Sequence, residues 1–238
     1  MGVPRIRLSQ SEHDMILANR GVTNTMIIGD IHAPFTLKGY LEFCIEMAKK
    51  WNITDVIFSG DIVDNHYSSF HNTDPDGRSA KDELDRAREV VQQFYKAFPI
   101  ATVLTGNHDN IPSRKAFAND ISDEWIRPIN EVLGVPNWTF KEYHWVGNIL
   151  FCHGIGRKAI SRMKQDMVSV VQGHYHSESY IRYQVGRDRK TFAMQVGCGV
   201  DKNTYAVAYG KHFMKQHINV GILLNNEVPI LEYMNLEE

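Results

Sequence analysis

The chain has few cysteines and no long apolar run. Its 238 residues include only Cys44, Cys152 and Cys198, which form neither a C-x-x-C motif nor a paired spacing; this is expected in a reducing compartment. No apolar run approaches the roughly 20 residues that cross a membrane, and charged and polar residues follow the N-terminus where a secretory signal would have an apolar core. We therefore expect a cytoplasmic protein with no membrane partner.

An excess of basic charge is also absent. The chain has 26 Lys and Arg against 28 Asp and Glu, which gives a formal net charge of -2, and 43% of its residues are hydrophobic. This composition indicates no global basic surface for tight nucleic-acid binding, although bound divalent ions and local loops can supply affinity for phosphate. A chain of this length can bury a full core as one domain, so we expect a single domain over residues 1–238, with residues 1–23 as an N-terminal extension.

Five short polar segments are present, and each follows a run of residues typical of a buried strand. Strand ends are where α/β sheets place functional loops, and a glycine beside a ligand lets the backbone approach an ion or substrate closely. Side chains two residues apart in extended backbone point the same way, as Asp30 and His32 would. The segments are Gly29-Asp30-Ile31-His32, Gly60-Asp61-Ile62-Val63-Asp64, Gly106-Asn107-His108-Asp109, Cys152-His153-Gly154 and Gly173-His174-Tyr175-His176.

The donors in these segments are carboxylates, an amide and imidazoles. Such mixed oxygen and nitrogen ligands suit Mn²⁺, Fe or Zn²⁺ better than a soft metal. Two ions about 3.5–4 Å apart can hold an attacking hydroxide and the phosphoryl oxygens together, and a metal-bound water ionises near pH ~7. The leaving oxygen then needs a proton donor, and a positioned histidine commonly contributes roughly 10²- to 10⁴-fold. The motifs therefore predict hydrolysis of phosphoesters.

The ordered set resembles the calcineurin-like metallophosphoesterase superfamily, whose pattern is D-x-H, G-D-x-x-D, G-N-H-D/E, a lone H and G-H-x-H. The resemblance covers residues 24–176 and every motif position is filled. It implies an α/β fold, a four-layer αββα sandwich of two mixed β-sheets flanked by helices. It also implies two divalent metal ions, with Mn²⁺ as the first choice and Fe, Zn²⁺ or Ni²⁺ as alternatives. Residues 197–210 are similar to the tail of small phage-encoded members.

The same resemblance implies a role for each motif residue. The ligands of the first ion would be Asp30, His32 and His176, and those of the second would be Asn107, His153 and His174. Asp61 would bridge both ions. His108 would act as general acid or phosphate clamp, with Asp109 orienting its ring. Asp64 is expected to hydrogen-bond the surrounding loop or a ligand histidine.

Two longer connections are expected to shape substrate choice. Residues 65–78 follow Asp61 and contain His66, whereas residues 110–136 follow the His108 motif and contain Arg114. Long loops inside compact domains often carry function, and a guanidinium can grip a phosphate bidentately. His66 and Arg114 are therefore candidate substrate contacts. A solvated surface loop is the alternative for the first connection.

The chain departs from the Ser/Thr protein-phosphatase branch, in which R-G follows G-D-x-x-D and E follows G-N-H. Asn65-His66 and Asp109 stand at these positions, so the arginine that this branch uses on phosphate is missing. We expect a phosphodiesterase, such as a nuclease, that hydrolyses nucleotide or nucleic-acid esters with metal-bound hydroxide as nucleophile. A phosphomonoesterase is the alternative. A different class also stays open: a metal-binding or metal-free scaffold, like superfamily members that have become assembly subunits.

Hydrophobic periodicity predicts the larger elements. Helices are expected over residues 9–19, 37–50, 79–97 and 122–133, and Ser79 is a candidate N-cap. In the second half of the chain, strands are expected over residues 138–145, 148–152, 167–171, 180–185, 191–196, 218–224 and 228–233.

Overall fold

The computed structural model describes residues 23–69, 79–201, 203 and 216–236, so the predicted helix over residues 9–19 lies outside the described residues. The strands are β1 (Asn24–Ile28), β2 (Asp55–Phe58), β3 (Ala101–Leu104), β4 (Trp138–Lys141), β5 (Tyr143–Val146), β6 (Ile149–Cys152), β7 (Ser169–Gln172), β8 (Tyr180–Val185), β9 (Lys190–Gln195), β10 (Asn219–Leu224) and β11 (Val228–Tyr233). The helices are α1 (Tyr40–Lys50), α2 (Ala80–Ala97), α3 (Ile111–Ala118), α4 (Ile129–Leu133) and α5 (Ala159–Asp166), with 3₁₀ turns at His66–Ser68 and Asp123–Trp125.

These strands form two mixed sheets. The first has the order β11-β10-β1-β2-β3-β4, and the second has the order β5-β6-β7-β9-β8. Strands β1 to β4 run parallel, β10 pairs antiparallel with β1, and β11 pairs antiparallel with β10. In the second sheet β6, β7 and β9 are parallel, between antiparallel edge strands β5 and β8. Parallel strands place their carboxyl ends at one edge of each sheet, where α/β folds bind ligands.

Three buried layers of apolar side chains hold the sheets and helices together. Val91 and Phe94 of α2 lie in the layer that covers the outer face of the first sheet. Ile27 of β1 and Phe151 of β6 belong to the layer between the two sheets. Met163 of α5 belongs to the third layer, on the outer face of the second sheet. The order helix, sheet, sheet, helix confirms the predicted αββα sandwich.

Two predicted elements are wrong in their extent. Residues 138–145 form two strands, because the chain leaves the first sheet after Lys141 and enters the second at Tyr143. Residues 122–133 form a 3₁₀ turn followed by α4, with Pro128 at the N-cap. Proline lacks an N–H and disfavours helical backbone in the residue before it, which here is Arg127, so one continuous helix cannot form. The helix over 79–97 is confirmed, with Ser79 Oγ accepting a hydrogen bond from the Asp82 N–H at 3.1 Å.

Helix α2 also anchors the connection that follows Asp64. The side chain of Glu83 is 3% exposed, and its carboxylate accepts hydrogen bonds from the backbone N–H groups of His66 at 2.7 Å and Tyr67 at 2.8 Å. Burial raises the pKa of Glu83, although the two amide donors oppose this shift. One carboxylate therefore satisfies two amides at the start of the 3₁₀ turn.

Among the described helices, none is both long and apolar enough to span a bilayer.

We expect Glu83→Ala to lower the free energy of unfolding by about 1–3 kcal/mol, because two amides lose their acceptor at a buried site. Urea denaturation at neutral pH measures this loss. Glu89→Ala, at an exposed position of the same helix, is the matched control and should change stability by no more than about 0.5 kcal/mol. Equal losses in the two variants would contradict the anchoring role of Glu83.

Candidate metal centre

Side chains from both sheets meet at one edge of the sandwich. Asp30, Asp61 and Asn107 lie just beyond the carboxyl ends of β1, β2 and β3, which are neighbours in the first sheet. His153 and His174 lie just beyond β6 and β7, which are neighbours in the second. The fold therefore brings together polar segments that are widely separated in the sequence.

The predicted ligand atoms lie in two groups, and a third group of potential ligand atoms joins His32 to Asp64 and His108. One group contains Asp30, His32 and His176, and the other contains Asp61, His153 and His174; within each group the ligand atoms lie within 4.8 Å of one another. Asn107 Oδ1 lies 3.1 Å from His153 Nε2 and so joins the second group. The structure therefore places close together the side chains that the resemblance implied as ligands, and their binding of metal stays a prediction.

Asp61 lies between the two groups. Its Oδ2 atom is 3.5 Å from Nε2 of His32 in the first group and 3.1 Å from Nε2 of His153 in the second. Its Oδ1 atom accepts a hydrogen bond from the backbone N–H of His108 at 2.8 Å. With 2% of its side chain exposed, Asp61 is oriented by the protein and directed at both sets of ligands.

Ser59 contacts one side chain of each group, although its role was not predicted from the sequence. Its hydroxyl donates to Asp30 Oδ1 at 2.5 Å, and its backbone carbonyl accepts a hydrogen bond from His153 Nδ1 at 2.8 Å. Nδ1 of His153 therefore carries a proton, which leaves Nε2 to face the other ligands. The available signal was the position of Ser59, directly before Gly60-Asp61.

The contact expected between Asp109 and the His108 ring is wrong. The backbone carbonyl of Asp64 accepts a hydrogen bond from His108 Nδ1 at 2.7 Å, and Asp64 Oδ1 lies 2.6 Å from His32 Nδ1. Asp64 therefore positions His32, as expected, and also the ring of His108, which Asp109 was expected to orient. Asp109 instead binds the loop backbone: its carboxylate accepts from the N–H groups of Ile62 at 2.9 Å, Val63 at 3.2 Å and Gly106 at 2.9 Å.

The two candidate substrate contacts lie in different surroundings. The side chain of His66 is 0% exposed, so its expected contact with substrate is wrong for this arrangement of the chain. The backbone N–H of His66 donates to the Glu83 carboxylate. Arg114 is exposed on α3, where it lines a shallow hollow with Phe117 and Asp123.

Strained backbone conformations occur in the motif segments. His32, Asp61 and His174 have φ values of 42°, 46° and 74°, and Asn65, just after Asp64, has a φ of 52°. Side chains other than glycine rarely adopt this left-handed region, and each such residue costs on the order of 1–3 kcal/mol. The surrounding contacts must hold these conformations, as is common at functional sites.

Glycines allow the carboxylates their positions. A Cβ atom at Gly106 would collide with the Asp61 carboxylate, and one at Gly173 would collide with the carboxylate of Asp30. These close approaches explain why the polar segments need glycine at both positions.

Electrostatic interactions couple the buried ligands. Burial raises the pKa of Asp61, but the charge and hydrogen bond of His153 outweigh burial and hold this pKa below its ordinary value. Burial lowers the pKa of His153, yet Asp61 and Asp30 raise it to about 10. Burial, helped by the charge of Asp61, raises the pKa of Asp109 to about 7. These shifts favour the protonated form of His153 and the ionised form of Asp61.

The donor set fits a divalent cation. Nε2 of His153 lies 3.1 Å from each of Asn107 Oδ1, Asp61 Oδ2 and His174 Nδ1. Neighbouring ligands at right angles, each about 2.1 Å from one ion, would lie about 3 Å apart. One ion would also satisfy the two imidazole nitrogens that face each other. Oxygen and imidazole donors without thiolate suit several first-row metals.

The model of the calcineurin-like phosphoesterase family matches residues 23–201. A sequence comparison with curated proteins found no match.

Similar solved structures include a metallophosphoesterase from Sphaerobacter thermophilus, 13% identical with a TM-score of 0.46, covering 90% of each chain. The phosphoesterase YfcE from E. coli is 15% identical with a TM-score of 0.41, covering 90% of this chain and 100% of its own. Vacuolar protein sorting 29 from Cryptosporidium parvum is 13% identical with a TM-score of 0.40, covering 91% and 99%.

We expect metal binding at pH ~8 to release at least one proton from His176 and His153 together, because an ion binds the neutral imidazole, the pKa of His176 is raised well above its ordinary value and the pKa of His153 is about 10. Apparent metal affinity should therefore rise with pH until these pKa values are passed. Calorimetric titration in buffers of different ionisation enthalpy counts the protons. His144→Gln, outside both ligand groups, should release the same number. An observed enthalpy that is independent of the buffer would contradict the assignment.

Proposed function

The chain belongs to the calcineurin-like phosphoesterase family, and on that premise we propose that it is a dinuclear metal-dependent phosphodiesterase that hydrolyses nucleotide or nucleic-acid esters. The observation that carries the proposal is the position of Asp61 Oδ2, which is 3.5 Å and 3.1 Å from imidazoles of the two ligand groups. Asp30, His32 and His176 would hold one ion, Asn107, His153 and His174 the other, and Asp61 both.

The chemistry divides between the ions and the chain. When bound, the two ions would supply Lewis acidity towards the phosphoryl oxygens and lower the pKa of a water. The residues of the chain fix the ligands and exclude water from them: Asp30 and Asp61 are 0% and 2% exposed. His108 is 17% exposed, so its ring can meet a substrate.

His108 is suited to donate a proton to the leaving oxygen. The Asp64 carbonyl can only accept, so Nδ1 of His108 donates to it at 2.7 Å and Nε2 is the nitrogen available to the substrate. Burial lowers the pKa of His108, but the charges of Asp61 and Asp64 raise it above its ordinary value. A protonated ring held in one orientation is what general-acid catalysis requires.

We expect His108→Asn to lower turnover of a diester with an alkoxide leaving group by roughly 10²- to 10⁴-fold. The loss should shrink for nitrophenolate, which leaves without a proton. Steady-state kinetics on the two substrates gives the ratio, and elemental analysis should find both ions still bound. An unchanged rate with the alkoxide would reject the general-acid role.

The surroundings of the centre favour a diester over a monoester. A monoester dianion has an extra charged oxygen, which sites usually meet with a dedicated cation. Asn65 and His66 replace the motif arginine of the protein-phosphatase branch. The amide of Asn65 donates to the His108 carbonyl at 2.9 Å, and His66 is buried. These contacts leave neither residue suited to clamp a dianion.

The test compares bis-p-nitrophenyl phosphate with p-nitrophenyl phosphate on protein that has been stripped of metal and reloaded with Mn²⁺, Fe²⁺, Zn²⁺ or Ni²⁺. We expect kcat/KM to be higher for the diester with each metal that supports turnover, and full loss of activity after chelation. A reversed ratio would favour a phosphomonoesterase. No turnover with any metal would favour a scaffold, and turnover by metal-free protein would contradict the metal centre.

A further inference from the structure

A cavity with a volume of about 770 Å³ lies beside the candidate metal centre and has no part in the chemistry above. Its wall includes Asn65, Asp109 and Asn110, and the Asn65 side chain donates to the His108 carbonyl at 2.9 Å. Asn65 therefore belongs to the cavity wall and also contacts the backbone of His108. Its volume falls in the range of about 300–1,000 Å³ that is usual for small-molecule sites.

The outer wall of this cavity is apolar and includes a large exposed aromatic ring. Trp125, Ile126 and Pro128 come from the connection between α3 and α4, and Leu84 comes from α2. The side chain of Trp125 is 82% exposed. A tryptophan so exposed on the wall of a cavity offers a flat face on which a planar ligand can stack.

The charged groups at the cavity suit a phosphate-bearing ligand. Lys81 and Arg127 line it, and Asp123 is the exposed carboxylate among the lining residues. Lys81 forms an ion pair with Asp85 on its own helix. The combination of an aromatic face with nearby cations is the one that proteins use to bind nucleotides in single strands.

We propose that this cavity binds the nucleobase of the substrate, stacked on Trp125, while the attached phosphodiester lies at the metal centre. The inference rests on the proposed function and narrows its substrate to a nucleoside phosphodiester with an unpaired base. Loss of one base-stacking ring commonly weakens binding by roughly 5- to 150-fold.

The experiment compares two diesters that share one leaving group and one scissile bond: the p-nitrophenyl ester of thymidine 5′-phosphate and methyl p-nitrophenyl phosphate. Trp125→Ala should raise KM for the thymidine ester by roughly 5- to 150-fold more than it raises KM for the methyl ester. The ratio of kcat for the thymidine ester to kcat for the methyl ester should change little. Trp125→Phe keeps a ring and should recover most of the loss.

Trp145→Ala is the matched control, because Trp145 is 52% exposed on β5 of the second sheet and does not line the cavity; this variant should leave both esters unaffected. Equal changes on the two esters, or no change in Trp125→Ala, would overturn the inference while the proposed function stands.

If neither ester is hydrolysed with any metal, the proposed function fails and binding tests the cavity separately. Thymidine 5′-monophosphate and inorganic phosphate are then titrated into the wild-type protein and Trp125→Ala. A base site is supported if Trp125→Ala binds thymidine 5′-monophosphate more weakly than the wild type does but binds inorganic phosphate equally well. Equal nucleotide affinity in the two proteins overturns it.

Discussion

The Asp61 carboxylate contacts imidazoles that both β-sheets supply: His32 follows β1, and His153 follows β6. This contact links the two halves of the sandwich at the one edge where the parallel strands end. Asp61 is itself held by the His108 amide at 2.8 Å and has room only because Gly106 lacks a Cβ atom. A displacement of this carboxylate would therefore change both groups of side chains and the position of His108 together.

Such an arrangement costs stability in several ways. Carboxylates and imidazoles are taken out of water, and three ligands hold left-handed backbone conformations. Paired charges and hydrogen bonds offset the desolvation cost, as when Ser59 binds Asp30 and Asp109 accepts three amides. Removing one partner from a buried set of this kind leaves the other charge uncompensated, so the ligands and the residues that hold them depend on one another.

The features predicted correctly from the sequence are those that short segments determine. The proximity of the motif side chains follows from their places at strand ends, and Ser79 caps the long helix as its residue type predicts. The choice between Asp64 and Asp109 as partner of His108 could not be made, because both are acidic residues of motif loops and only the packing of those loops separates them. The burial of His66 could not be predicted, because it depends on Glu83 of another element. The cavity at Trp125 could not be predicted either, because several elements form its wall. The interruption of the predicted helix before α4 could have been predicted, because Pro128 disfavours helical backbone in the residue before it.

The central claim is that Asp61 joins two metal ions in one centre. Diffraction from crystals grown with Mn²⁺, measured at the manganese absorption edge, tests it most directly, because anomalous peaks locate the ions without reference to any expected geometry. The account predicts two peaks, one among Asp30, His32 and His176 and one among Asn107, His153 and His174, with the Asp61 carboxylate bound to both. A single peak, or two peaks of which only one contacts Asp61, would contradict it.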